Sequence, residues 1–424
     1  MNSASRRVQR IYLTLMLGNT LAASFIWGIN TLFLLDAGLS NFEAFAANAF
    51  FTVGMVIFEI PTGVVADTVG RKVSYVLGTV TLSVTTALYW MLWLWSAPFV
   101  WWAIVSVLLG LGFTFFSGAV EAWLVDALNS TGYSGGLEAV FGRGLMVTGI
   151  AMFVGSVLGG VVAQATNLGV PFLVRAGVLV VMFVFALFVM KDIGFSPDRS
   201  MGPIEATRNV LTQSVEHGLK RRSVRYMILA APFASGVGFY AFYALQPYLL
   251  ELYGDPTAYS IAGLAAAVLS LAQVAGGLFA PQVRKMFARR TTAVIAADIA
   301  SVVVLVVLGL NSFFWLAVAL LVAWGFVFAA ARPVRQAYLN EMIPSKQRAT
   351  VLSFDSLFGS IGGVVIQPGL GRAADIGGYG MSLVIGAAVQ LIGVPLLYAS
   401  RAQRDPADRR RTADDTAAAT TDAR

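Results

Sequence analysis

Stretches of about 20 mostly apolar residues, each long enough to cross a bilayer as a helix, recur twelve times along this chain. They occupy residues 11–35, 43–66, 73–95, 98–127, 138–165, 171–190, 225–252, 257–283, 291–311, 313–340, 347–371 and 379–400. Lipid offers no partner to a backbone N–H or C=O, so such stretches are forced into helices. Charged residues are 12% of the 424, against roughly 25% in a soluble domain. That is too little to wet a soluble surface of this size. The expectation is an all-α membrane protein, with the 42 glycines serving close helix packing. The first span is too long for the core of a secretion signal and lacks a small-residue cleavage site. Cysteine is absent and His217 is the only histidine. No metal site, disulfide or cofactor is expected.

Lysine and arginine set the orientation. With twelve spans both termini fall on one side. If that side is cytoplasmic, every one of the 29 basic residues except Arg175 and Arg372 lies inside. The net charge of +7 then reports topology, and nucleic acid is not an expected partner. The chain reads as a monomer, multi-pass in the plasma (inner) membrane, with cytoplasmic N- and C-termini.

The longest polar interruption, 191–224, divides the chain into six-helix halves, 1–190 and 225–400. Ile204, Leu211, Val215 and Leu219 recur within it at helical spacing beside basic residues, as in a helix lying on the membrane face. Residues 401–424, rich in Ala, Asp, Arg and Thr without periodicity, read as a disordered tail. The halves also align as repeats. Glu59–Lys72 matches Gln273–Met286, placing Gly63 on Gly277 and Asp67 on Pro281. In spans 5 and 11, Arg143 falls on Asp355 and Ser156 on Pro368.

Between spans 2 and 3 the chain reads Gly63-Val-Val-Ala-Asp67-Thr68-Val-Gly70-Arg71-Lys72. This resembles the helix 2–3 loop of major facilitator superfamily (MFS) transporters, Gly-x-x-x-Asp-(Arg/Lys)-x-Gly-(Arg/Lys)-(Arg/Lys), with Thr68 in place of one basic residue. The resemblance runs over nearly the whole chain. It implies twelve transmembrane helices in two pseudo-symmetric six-helix bundles and transport by alternating access. It also implies that Gly63, Asp67, Gly70, Arg71 and Lys72, with the acidic Asp126 of span 4 and the start of span 11, form a cytoplasmic latch that closes in the outward-open state.

Ionisable side chains inside spans cost roughly 2.5–3.5 kcal/mol each on insertion scales, so each calls for a partner or a task. They are Glu59, Glu121, Asp126, Arg143, Asp298, Arg332, Arg335, Glu341 and Asp355. Two symmetric networks are expected: Asp67, Arg71, Glu121, Asp126 and Arg143 in the first half, and Arg332, Arg335, Glu341, Arg348 and Asp355 in the second. Glu121 and Glu59 stand as proton or substrate-cation sites, because desolvation raises a carboxyl pKa. Arg143 is the expected partner of Glu121. Asp36 is expected in solvent at the outer mouth, and Arg175 is expected to reach outward to the membrane surface.

Two further segments resemble motifs of the MFS drug:proton antiporters, each with one departure. Ser106-Val-Leu-Leu-Gly110-Leu-Gly112 in span 4 has Ser for Arg, and Gly155-Ser156-Val-Leu-Gly159-Gly160 in span 5 has Ser for Pro. The missing Arg puts the standard proton coupling in question. The family's cavity lies between spans 1, 4, 7 and 10, where Trp27, Trp123, Phe239, Phe242, Tyr243, Trp324 and Phe328 are available. The expected function is proton-coupled efflux of lipophilic or amphiphilic small molecules. A facilitator or importer of a defined metabolite is the alternative, separable by a polar, charge-matched cavity. An enzyme is not expected: the sequence holds no phosphate loop, nucleophile elbow or His-Glu-x-x-His zinc motif.

Overall fold

The computed structural model describes residues 3–197, 221–343 and 348–409, with the side chains of 348–350 excluded. Its described residues are built of helices: α1 (Ser3–Trp27), α2 (Asn30–Asp36), α3 (Asn41–Thr68), α4 (Arg71–Leu94), α5 (Phe99–Thr114), α6 (Ala119–Ser130), α7 (Leu137–Ala165), α8 (Val170–Val189), α9 (Arg222–Tyr253), α10 (Tyr259–Met286), α11 (Arg290–Leu310), α12 (Phe314–Met342), α13 (Arg348–Leu391) and α14 (Gly393–Ala402). Ten helical stretches are long and apolar enough to cross a membrane, or eleven if the bent pair α1–α2 counts as one. The 52-residue stretch Val351–Ala402 holds two spans. Gly378, at φ 77°, breaks α13. Beyond it a Cβ on Gly386 would lie 3.2 Å from Leu370. A straight helix would hold those residues about 24 Å apart, so the chain has turned back.

Two spans expected to be continuous are broken. Span 1 bends by 47° between Trp27 and Asn30. Span 4 is interrupted between Thr114 and Ala119, where Gly118 takes a left-handed φ of 69°. That conformation suits glycine alone among ordinary residues, and it starts a fresh helix, α6, in the middle of the span.

The halves share one packing plan. In the first, α1 packs on α7, α3 on α5 and α4 on α8; in the second, α9 packs on α13, α10 on α12, and α11 on the last two helices. Between halves, α3 meets α13 and α7 meets α10. Each half thus places spans 1 with 5, 2 with 4 and 3 with 6, as the internal repeat requires.

The halves do not meet evenly along their length. Among the described residues every hydrogen bond between them lies at the end away from the connector. The Thr31 backbone N–H donates to Gln246 Oε1 at 3.0 Å, and Gln246 Nε2 donates to the Trp27 carbonyl at 2.6 Å. Asp375 accepts from the backbone N–H groups of Asn41 and Phe42, and Tyr379 donates to Asn41 Oδ1. At this end a Cβ on Gly160 would lie 2.7 Å from the Tyr259 carbonyl oxygen and 2.9 Å from the Gly263 Cα. Among the described residues no hydrogen bond joins the halves at the connector end, so the described residues hold the halves together at the far end alone.

The helix expected on 204–219 lies outside the described residues, as does His217. The tail expected from Arg401 is ordered in its first part. Asp405 accepts from Arg221 and Ser223, and Asp408 accepts from the Thr291 backbone N–H and hydroxyl. These buried carboxylates tie 405–408 to α11 and the start of α9, a pairing that helical periodicity does not signal. Residues 410–424 lie outside the described residues.

Candidate functional site

The helix 2–3 motif forms a compact charged knot at the connector end. Arg71 pairs with Asp67 at 2.5 Å and stands 4.0 Å from Asp126. Its guanidinium also lies 6.0 Å from the Phe195 ring centroid. The sequence did not single out Asp192, yet it holds this knot together: its carboxylate accepts the Lys72 backbone N–H at 2.9 Å, a donor left free at the start of α4. Burial pushes the Asp192 carboxyl above its usual range, with the Lys72 N–H and the Lys72 charge pulling the other way. Gly70, at φ 138°, has room for no more than a hydrogen, since a Cβ would lie 2.5 Å from Asp192 Oδ2. Thr68 turns its hydroxyl into its own helix, onto the Val64 carbonyl. Lys72 Nζ reaches the Leu187 carbonyl.

The side chains at the start of span 11, where Asp67 is expected to make contact, lie outside the described residues. The partners just named belong to the first half and the start of the connector, and the Asp67 side chain is 51% exposed. A Cβ on Gly63, or on its repeat mate Gly277, would meet nothing within 4 Å.

The first expected network divides. Asp67, Arg71 and Asp126 come together; Arg143 does not join Glu121, but donates from the exposed face of α7 to Gln9 Oε1 at 3.1 Å. Gln9 intercepts it from span 1, a contact between spans that spacing in the sequence does not show. Glu121 is half-buried in the first turn of α6, where the helix N-terminus favours a carboxylate. Glu59 accepts a 2.6 Å hydrogen bond from Ser117, inside the break of span 4. Both carboxylates singled out for proton work thus border the same helix break.

In the second half Arg335 and Asp355 form a two-pronged pair at 2.6 Å on both prongs, and Arg335 also donates to the Met227 carbonyl. Asp298 accepts from Gln390 at 2.6 Å and faces the Arg335 charge. Glu341 instead pairs with Arg290 at 2.6 Å. Arg332 lies over the Phe328 ring at 5.7 Å, and the Arg348 side chain is outside the described residues.

The aromatic wall is thinner than expected. Trp123 is 1% exposed and donates to the Lys191 carbonyl, so it packs inside the first bundle. Trp324 is equally sequestered, stacked on Phe328 and bonded to Ser301. Neither lines an open cavity, because the inner faces of spans 4 and 10 pack within their own bundles. Phe239 is exposed, and Trp27 and Tyr243 are half-buried. Phe242 packs edge-on against Tyr243. An open cavity of about 340 Å³ at the far mouth, beside Asp36, Glu43 and Phe99, lies away from this region. Asp36 there is exposed as expected and accepts from Trp93 Nε1.

Arg175 departs most from expectation. It is 8% exposed, pointing into the protein instead of out to the membrane surface. It shares the inward face of α8 with Phe172 and Leu179, and aromatic packing of Phe172 on Phe33 and Tyr89 closes its outward route.

The departures from the antiporter motifs also find their places. Ser106 bonds the buried Tyr89 hydroxyl. In the span 5 motif a Cβ on Gly159 would strike the Phe25 carbonyl oxygen of span 1, while Gly160 meets span 8. The motif's glycines serve helix approach, independent of transport direction.

The family model of the Major Facilitator Superfamily matches residues 12–296 and again 228–421. The chain belongs to that superfamily. Facilitators transport solutes and are not enzymes. Among solved structures, the nucleoside transporter NupG is similar at a TM-score of 0.75 with 11% identity, covering 94% of this chain and 99% of that one. A bacterial homologue of the human lysosomal transporter Spinster, inward-facing and unoccupied, is similar at a TM-score of 0.71 with 14% identity, covering 95% and 98%. At these identities the likeness shows the fold alone. No curated protein sequence matches the chain.

Proposed function

We propose that this facilitator carries a defined, hydrogen-bonding solute by alternating access, coupled to protons, with the connector end cytoplasmic. On that orientation the structure is inward-open. The reading departs from efflux of lipophilic compounds because of one observation: the junction of the halves is polar. Asn30, Thr31, Asn48 and Gln246 are all buried there, around the bend of span 1. Thr31 Oγ1 and Asn48 Nδ2 lack hydrogen-bond partners, although buried polar groups are rarely left unpaired. A lipophilic solute would leave them so; a polar solute satisfies them.

For coupling we favour Glu121. It sits beside the break in span 4, and in this inward-open state it makes no ion pair or hydrogen bond among the described residues. Closure of the connector end would take this unpartnered carboxylate out of water, which is costly for an ion inside the membrane. Glu121→Gln in proteoliposomes is expected to abolish uphill transport driven by an imposed pH gradient while leaving solute exchange largely intact. If the variant accumulates solute with normal pH dependence, Glu121 carries no coupling proton, and Glu59 and Asp355 become the next groups to replace.

A further inference from the structure

A buried guanidinium without an anion is costly: an ion taken out of water forfeits several kcal/mol unless a counter-charge and hydrogen bonds replace the solvent. Arg335 has such a partner in Asp355, and Arg290 has one in Glu341. Arg175 has none. Among the described residues no carboxylate lies within ion-pair distance of it, and its Nε, buried, has no hydrogen-bond partner. The groups that its charge reaches are two hydroxyls, those of Tyr243 and Tyr89.

Their positions are informative. Tyr89 stands on span 3 of the same half. Tyr243 stands on span 7 of the other half, so the Arg175 charge acts across the junction. Tyr243 lies one turn before Gln246, whose amide bridges the Trp27 carbonyl and the Thr31 N–H. The bend of span 1 thus lets a cation from span 6 face span 7. Tyr243 faces it, and the same junction of the halves holds the orphaned Thr31 and Asn48 groups.

We propose that Arg175 is the anion-binding centre of the transport site, and that the solute is a small organic anion whose carboxylate or phosphate group pairs with the guanidinium. Tyr243 donates a hydrogen bond to it from the opposite half. This rests on the polar-solute reading above and names its class. A guanidinium presents a fork of donors matched to two oxygens of such a group. A solute held by Arg175 on one side and Tyr243 on the other would touch both halves, which is what a rocking carrier needs of its cargo.

Thermal unfolding of the purified protein in detergent tests this, with benzoate, succinate and inorganic phosphate as anionic probes and benzylammonium as the cationic match to benzoate. At least one anion is expected to raise the melting temperature saturably, and benzylammonium is not. Arg175→Gln should weaken the apparent affinity for that anion more than tenfold, with Arg175→Lys intermediate. Should Arg175→Gln fail to fold, Tyr243→Phe keeps the charge and is expected to weaken the anion several-fold. Protection by benzoate and benzylammonium alike, or anion affinity unchanged in Arg175→Gln and Tyr243→Phe, would overturn the assignment. So would protection by none of the three anions. If a neutral polar solute such as a nucleoside or sugar is then transported, the polar-solute reading stands without the anion centre. If only lipophilic dyes are transported, both fall.

Discussion

Asp355→Asn should destabilise the protein by about 3–5 kcal/mol, the range for removing one partner of a buried ion pair. The pair is well made: two 2.6 Å hydrogen bonds link the side chains, which are 24% and 14% exposed. Asparagine cannot neutralise Arg335, so the guanidinium is left beside Asp298 with only the Met227 carbonyl and a bonded carboxylate nearby. Unfolding of the detergent-solubilised protein by heat or by added denaturing detergent should show the loss directly. The double variant Arg335→Leu with Asp355→Leu should regain part of it, because the guanidinium leaves with its partner, while Asp298 keeps its Gln390 hydrogen bond but loses the cation it faces. Single and double variants that unfold alike would mean that the pair contributes no more than its packing.

Gly63→Leu should remove most transport without harming the fold. In the inward-open state the space beside Gly63 is empty, so a leucine fits. In the opposite state the proposed latch would bring the inner end of span 2 against the start of span 11, and the leucine would hold them apart. An obstruction that costs about 1.4 kcal/mol in that state alone lowers its population tenfold. Gly277→Leu, at the repeat-equivalent place with the same empty surroundings, should behave alike. Transport rates with gel filtration and melting temperature as controls separate the two effects. Full transport in both variants would mean that these glycines never meet a neighbour during the cycle.

What was legible in the sequence follows from the solvent. Apolar length fixes spans because lipid leaves the backbone no alternative to a helix, and the basic residues suggest a side for each loop. The Asp67–Arg71–Asp126 knot was legible because the loop between spans 2 and 3 resembles the superfamily motif, which implies an acidic partner at the inner end of span 4. Arg335 and Asp355 were also grouped in advance, within one network with Arg332, Glu341 and Arg348, since all are charges in the inner thirds of spans 10 and 11. Partnerships that depend on how helices rotate were not. Gln9 takes Arg143 from Glu121 because α1 and α7 pack together, and neither residue's neighbours in sequence show that face. Trp123 looked available as a cavity wall, but the rotation of α6 turns it into the bundle. The breaks at Gly118 and beside Trp27 sit within mostly apolar runs, where a glycine costs lipid-embedded helices little and so signals little. Arg175 was misplaced for the same reason. A single arginine near a helix end reads as reaching outward, and only the packing of Phe172 shows that its route is closed.

Alternating access has the halves rock about a fixed site, closing one end as the other opens. The chain has no cysteine, so spin labels can be placed singly at will. A pair at Val69 and Ser353 spans the connector end, and a pair at Thr166 and Thr257 spans the far end. Electron–electron distance measurements on both pairs, in liposomes, test the claim in the otherwise unaltered protein and in Gly63→Leu. The account predicts two populations at each pair in the former. It predicts that Gly63→Leu leaves only the long connector-end distance and the short far-end distance. A single distance unchanged by the substitution, or both ends lengthening together, would contradict it.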